Sequence, residues 1–144
     1  MNIIIACGSI RPELEKAKGA EDSVRIITLP QNLHRAPHKM SGVIQKALDQ
    51  VTGEADKVIL GYGLCSNGIV GVEAPSQGLY IPRAHDCITF YLGSRQRYHE
   101  IFSKHPGTYH LTRSWIENKT DPLGLLENEY TRRVGREMAE ETIQ

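Results

Sequence analysis

Apolar residues along the chain follow two rhythms. Short β-branched runs, Asn2 to Cys7, Ser23 to Leu29, Lys57 to Leu60, Leu79 to Ile81 and Thr108 to Leu111, are apolar at enough consecutive positions to be buried on both faces, and they read as strands. Between them the spacing changes to three and four. Pro12 suits a first helical turn, and Glu13 to Lys18 continues it until Gly19 breaks it. From His38 to Val51, the residues Met40, Ile44, Ala47, Leu48 and Val51 fall on one face, with Gly53 as the stop. After Asp86, a good N-cap, Ile88, Tyr91, Leu92, Ile101 and Phe102 predict one amphipathic helix ending at Pro106 and Gly107. A last helix starts at Pro122 and carries Leu123, Leu126, Tyr130, Val134 and Met138. The longest irregular stretch expected is Arg113 to Asp121, a surface loop or lid.

Alternating strands and helices predict an α/β fold: a mostly parallel sheet of about five strands flanked by helices, with Rossmann-like or flavodoxin-like layering. At 144 residues and 16.1 kDa the chain fits a single domain over residues 1–144 with one core. Seventeen Lys plus Arg balance seventeen Asp plus Glu, and this zero net charge argues against nucleic acid or an anionic membrane as the main partner. No run approaches the roughly 20 apolar residues of a membrane span. The run Ile3 to Cys7 has no basic residue before it and is too short for a signal peptide, so a cytoplasmic protein is expected. Thiols stay reduced there, and three cysteines cannot all pair internally.

In an open parallel sheet, ligands bind beyond the C-terminal ends of the strands. The residues following the predicted strands are therefore a candidate list. They are Cys7, Gly8 and Ser9; then Asn32 and His34; then Gly61 to Gly68, with Cys65 and Asn67; then Arg83, His85, Asp86 and Cys87; and last Thr112, Arg113 and Trp115. All three cysteines fall at strand exits. Free cysteine is commonly just a small buried hydrophobe, but that role gives no reason for this placement. Three thiolates from separate loops can hold zinc, with His85 or His34 as fourth ligand. They can also hold three irons of an iron–sulfur cubane and leave the fourth iron open. The cluster is preferred, because three thiolates suffice for it. No CxxC spacing supports either metal, so the signal is topological.

A metal-free thiol enzyme is the alternative. Cys87 follows Asp86 at a helix start where the dipole favours thiolate, with Arg83 and His85 nearby, or Cys65 acts with His85 as base. Asp86 reads equally well as a plain N-cap, His85 as a structural hydrogen-bonding residue, and Arg83 as an ion-pair partner of Asp86 or an anion clamp. The glycines 61, 63, 68 and 71 fail the dinucleotide fingerprint, since Ser66 stands where its third glycine belongs, and no GKS or GKT follows. They read as turns that bring Cys65 and Asn67 to the edge, where backbone amides can bind an anion. Solvated roles suffice for His38, His99, His105 and His110.

The segments Ile5-Ala6-Cys7-Gly8, Leu33-His34 with Pro37, Gly61-Tyr62-Gly63-Leu64-Cys65 with Asn67-Gly68, Pro82-Arg83-Ala84-His85-Asp86-Cys87-Ile88, Leu92-Gly93-Ser94 and Pro106-Gly107-Thr108-Tyr109 resemble the domain-of-unknown-function 1638 family of bacteria and archaea. The resemblance runs from the first strand to about Trp115. It implies that Cys7, His34, Cys65, Arg83, His85, Asp86 and Cys87 belong to the family pattern. The family name carries no activity. Its association with anaerobic one-carbon and corrinoid-dependent methyl metabolism implies an iron–sulfur or zinc–thiolate site, a small-molecule ligand, and a methyl-transfer protein as partner. A non-catalytic accessory module for corrinoid methyl-transfer enzymes is a further reading. Family members continue past the last helix seen here, so the resemblance implies a missing C-terminal strand and helix.

Overall fold

The β-branched runs form a sheet whose strands all lie parallel: β1 (Asn2–Cys7), β2 (Val24–Leu29), β3 (Lys57–Gly61) and β4 (Leu79–Tyr80), in the spatial order β2-β1-β3-β4. The structure is a computed structural model that describes residues 1–143, with side chains described through residue 141. In register, Ile4 of β1 lies between Ile26 and Ile59, and Cys7 pairs with Leu29. The chain divides into two compact units, Met1–Thr108, which contains the sheet, and a helical unit from Tyr109 onward. Among the described residues no helix is long and apolar enough to cross a membrane.

Alternation within β1 and β3 sends Ile3, Ile5, Val58 and Leu60 to one face, where all four are buried with Tyr62. Helix α2 (Pro37–Val51) covers that face with its predicted stripe, and Met40, Ile44, Ala47, Leu48 and Val51 are its buried residues. Burying each large aliphatic side chain contributes about 1.5–3 kcal/mol, so this helix–sheet layer is the main stabilising element of the unit. Helix α1 (Arg11–Lys18), which is highly charged, buries none of its residues, and it ends at Gly19 with φ +56°.

Four expectations change, the last being the single helix from Pro122, which is interrupted at Gly135. Among the described residues Thr108 to Leu111 pairs with no strand, so the sheet has four strands where about five are expected, and Tyr109 and Leu111 stay exposed. The helix expected after Asp86 is two helices, α3 (Cys87–Leu92) and α4 (Arg95–Lys104). Gly93 turns left-handed at φ +80°, and Ser94 starts the second helix by accepting from the Arg97 N–H at 3.1 Å. The expected loop from Arg113 contains α5 (Arg113–Glu117), capped by Thr112.

Within the second unit, Asp121 caps α6 (Pro122–Leu125) by accepting from the N–H groups of Leu123 and Gly124 at 3.1 and 3.2 Å. A wide turn follows at Leu126–Tyr130, where both the N–H and the hydroxyl of Thr131 donate to the Leu126 carbonyl. Then come α7 (Thr131–Val134) and α8 (Arg136–Ile143), separated by Gly135 at φ +82°.

Candidate functional site

A strand order of 2-1-3-4 has a consequence for chemistry. The connections leave β1 in opposite directions, so a crevice opens between the C-terminal ends of β1 and β3, the usual ligand position in open α/β sheets. Cys7 ends β1, Cys65 follows β3, and Cys87 begins the first helix after β4.

Beyond β1 the chain turns tightly through Gly8–Ile10. Gly8 permits this because a Cβ there would lie 3.1 Å from the Leu29 carbonyl oxygen. The turn buries Ser9, at 1% exposure, with its hydroxyl donating to Cys7 Sγ at 3.2 Å. The same hydroxyl bonds the Cys87 sulfur, so one residue joins two of the three thiols. Tyr91 of α3 donates its hydroxyl to the Ser9 carbonyl, tying the helix that carries Cys87 to the first loop.

The loop after β3 is conformationally costly. Cys65, Ser66 and Asn67 take φ values of 47°, 59° and 63°, a left-handed turn closed by the Gly68 N–H donating to the Cys65 carbonyl at 3.1 Å. Left-handed backbone costs a non-glycine residue about 1–2 kcal/mol, and such strain persists only where the surroundings enforce it. Here the enforcement comes from the Pro82–Cys87 loop. Leu64 N–H donates to the Ala84 carbonyl at 3.1 Å and Cys65 N–H to the His85 carbonyl at 3.0 Å. Gly63 allows the approach, since a Cβ there would lie 2.6 Å from the backbone N and Cα of Asp86.

Cys65 and Cys87 both feel Cys7. Burial, then the charge of Cys7, pushes the Cys65 thiol up to about 11, against backbone N–H bonds from Gly63 and Cys87; Asp86 raises it further. Cys87 is pushed up to about 12, first by burial, with Cys7, Cys65 and Asp86 adding to the shift and the Ser9 hydroxyl opposing it. The expectation that the helix start makes Cys87 a ready thiolate is corrected: burial and surrounding negative charge outweigh the dipole of a helix only six residues long. Beside the thiols stands Tyr62, 2% exposed, whose hydroxyl has no hydrogen-bond partner of normal geometry. Burial, then the charges of Cys7 and Cys65, raises its ionisation strongly.

Asp86 is the N-cap of α3, accepting from the Ile88 N–H at 3.0 Å. Its other oxygen accepts from His85 Nδ1 at 3.2 Å and from the Tyr98 hydroxyl at 3.3 Å. His85 also stacks on Tyr98, with ring centroids 5.7 Å apart. Arg83 is exposed and, among the described residues, in no ion pair, so it does not partner Asp86. His34 lies in the turn Gln31–Arg35, and its Nδ1 donates to the Gln31 carbonyl at 2.7 Å. Asn67 is exposed at the end of the left-handed turn.

Among the described residues, no group of three or more His, Cys, Asp or Glu side chains is arranged as a ready metal shell. The fold thus brings Cys7, Cys65, Cys87 and Asp86 within electrostatic reach, while His85 turns to Asp86 and His34 to its own turn. Ser9 and Tyr62 belong to this site as well, and sequence reading left them out of the ligand set. Their signal was available, since both lie within three residues of a cysteine at a strand exit.

No curated protein and no solved structure matches the chain. A family model, described as Protein of unknown function (DUF1638), matches residues 28–143. This span holds His34, Cys65, Asn67, Arg83, His85, Asp86 and Cys87, while Cys7 precedes it. With most of its length matched, the chain belongs to the DUF1638 family of proteins of unknown function.

Proposed function

We propose that this protein binds a thiophilic metal centre, an iron–sulfur cluster in preference to zinc, through Cys7, Cys65 and Cys87. The observation that carries the reading is that the loops after three separate strands bring Cys65 and Cys87 within electrostatic reach of Cys7, which adds to the rise that burial gives both. Cys65 and Cys87 are disfavoured as thiolates by burial and by neighbouring negative charge, and a bound cation offsets that penalty. Tyr62 fits the same donor set, because its buried hydroxyl lies beside Cys7 and Cys65 and has no hydrogen bond of normal geometry.

Ligation from this arrangement requires loss of the thiol protons and side-chain rotation, since no ready shell exists among the described residues. The preference for a cluster follows from ligand number. Three thiolates suffice for a cluster with one open iron, whereas a closed zinc site needs a fourth ligand, for which His85 or His34 would have to bring its Nε2 to the thiols. When bound, such a centre with an open coordination position supplies Lewis acidity toward a small oxygen- or sulfur-bearing molecule. The chain's own contributions are a Ser9 hydroxyl that favours thiolate at Cys87, and a left-handed turn that fixes Cys65.

A metal-free thiol nucleophile is less well supported, because Cys65 and Cys87 stay protonated at neutral pH. Anaerobic purification with metal analysis and an absorption spectrum tests the proposal. Near-stoichiometric iron or zinc, lost in Cys65→Ser, is expected. A colourless protein with neither metal overturns it.

A further inference from the structure

Next to the thiol loops lies an open cleft of about 370 Å³ whose polar side chains are two arginines and two histidines. Arg83 and His85 enter it from the loop before α3, and Arg95 and His99 from the first turns of α4. No acidic residue lines it. Both arginines are exposed and, among the described residues, neither is in an ion pair, whereas Arg11, Arg25, Arg113, Arg133 and Arg136 each have a glutamate. Asp86, next to His85, is occupied by the Ile88 N–H, the Tyr98 hydroxyl and His85 itself. The rest of the wall is apolar, with Leu64, Ile69, Ile81 and Pro82, and Leu64 and Ile81 are among the exposed large hydrophobics.

We infer that this cleft binds a small organic anion, an oxyanion head on a short apolar body. Two unpaired guanidinium groups from separate elements match a phosphate or carboxylate, each able to offer a two-pronged donor set. The apolar wall accounts for the body, since an inorganic anion gains nothing from Leu64, Ile69 and Ile81. A cation is disfavoured by every charged group lining the cleft. Because Leu64 and His85 line the cleft and flank Cys65 and Cys87 in sequence, a ligand anchored here lies beside the thiol loops. The inference goes beyond the metal reading and does not depend on it, as the cationic groups are present whether or not the thiols bind anything.

The test is calorimetric or NMR titration of the full chain, freed of metal by chelator, with butyl phosphate, pentanoate, inorganic phosphate and butyltrimethylammonium. Saturable binding of at least one organic anion is expected, about tenfold tighter than inorganic phosphate, from partial burial of the alkyl chain. Which of butyl phosphate and pentanoate binds better identifies the head group. Arg83→Gln with Arg95→Gln should weaken that binding by at least about tenfold, because charge-assisted hydrogen bonds are lost. Both sites are exposed, and an unchanged circular dichroism spectrum confirms the fold. No saturable binding of either organic anion, undiminished binding in the double variant, or equally tight butyltrimethylammonium overturns the inference. Metal content should be the same in the double variant and the wild type. Anion binding by a protein that never holds metal would overturn the metal proposal alone.

Discussion

A methyl group at position 63 has no room. A Cβ there would sit 2.6 Å from both N and Cα of Asp86 and 2.9 Å from the His85 carbonyl carbon, all backbone atoms that cannot rotate aside. Gly63 does not have a positive φ, so the obstacle to Gly63→Ala is purely steric. To reach ordinary contact the two loops must part by roughly 1 Å, which breaks the bonds from Leu64 N–H to Ala84 and from Cys65 N–H to His85, now 3.1 and 3.0 Å long. Overpacking costs about 1–3 kcal/mol and each lost hydrogen bond about 0.5–1.5 kcal/mol, a loss of roughly 2–6 kcal/mol in total. Urea denaturation measures it. Gly42→Ala is the control, since Gly42 is exposed within α2, a Cβ there meets nothing within 4 Å, and the change should stabilise by about 0.5–1 kcal/mol. Parted loops should also speed iodoacetamide labelling of Cys65 and Cys87. A Gly63→Ala protein within about 0.5 kcal/mol of wild type, with unchanged labelling, would refute the steric reasoning.

Other substitutions probe the electrostatics. Asp86→Asn keeps an N-cap residue but removes a charge that raises both Cys65 and Cys87, so alkylation of these thiols should become faster at a given pH; slower alkylation contradicts the assignment. Tyr62→Phe removes a buried hydroxyl whose contact with Cys7 falls short of normal hydrogen-bond geometry, and the metal-free variant should unfold at the same urea concentration as wild type or a higher one, with a gain of up to about 1 kcal/mol. The folded pKa values of Cys65 and Cys87, about 11 and about 12, lie above their ordinary value of 9.0. The unfolded chain therefore releases these protons first, so the contribution to stability is intact below pH 9 and is lost as pH rises toward 12. Thermal melts of the metal-free protein across that range check the sign.

How far the sequence could be read depended on range. The strands β1 to β3 and helix α2 were legible because each has its own period, and the stripe Met40, Ile44, Ala47, Leu48, Val51 buries as spaced. The break at Gly93 and Ser94 was also written locally, in a glycine followed by a cap residue, but the apolar spacing on either side concealed it. Thr108 to Leu111 failed for the opposite reason: a β-like composition does not make a strand without pairing, and among the described residues this segment pairs with neither free edge, β2 or β4. Of the candidate residues, the three cysteines and Asp86 come within mutual electrostatic reach, while His85 and His34 make bonds to other groups.

Sequence alone determined the parallel α/β layering and the position of each cysteine at a strand exit, because hydrophobic period and turn residues are encoded within a few positions of each element. Only tertiary structure decided that Cys7, Cys65 and Cys87 come within electrostatic reach of one another, short of a metal shell among the described residues. That depends on β1 lying between β2 and β3, and on two loops about twenty residues apart touching backbone to backbone at Gly63 and Asp86. The burial and repulsion that raise Cys65 and Cys87 arise from that contact and from the buried turn at Ser9. No local pattern carries them, since charge interactions across a crevice depend on distance in space.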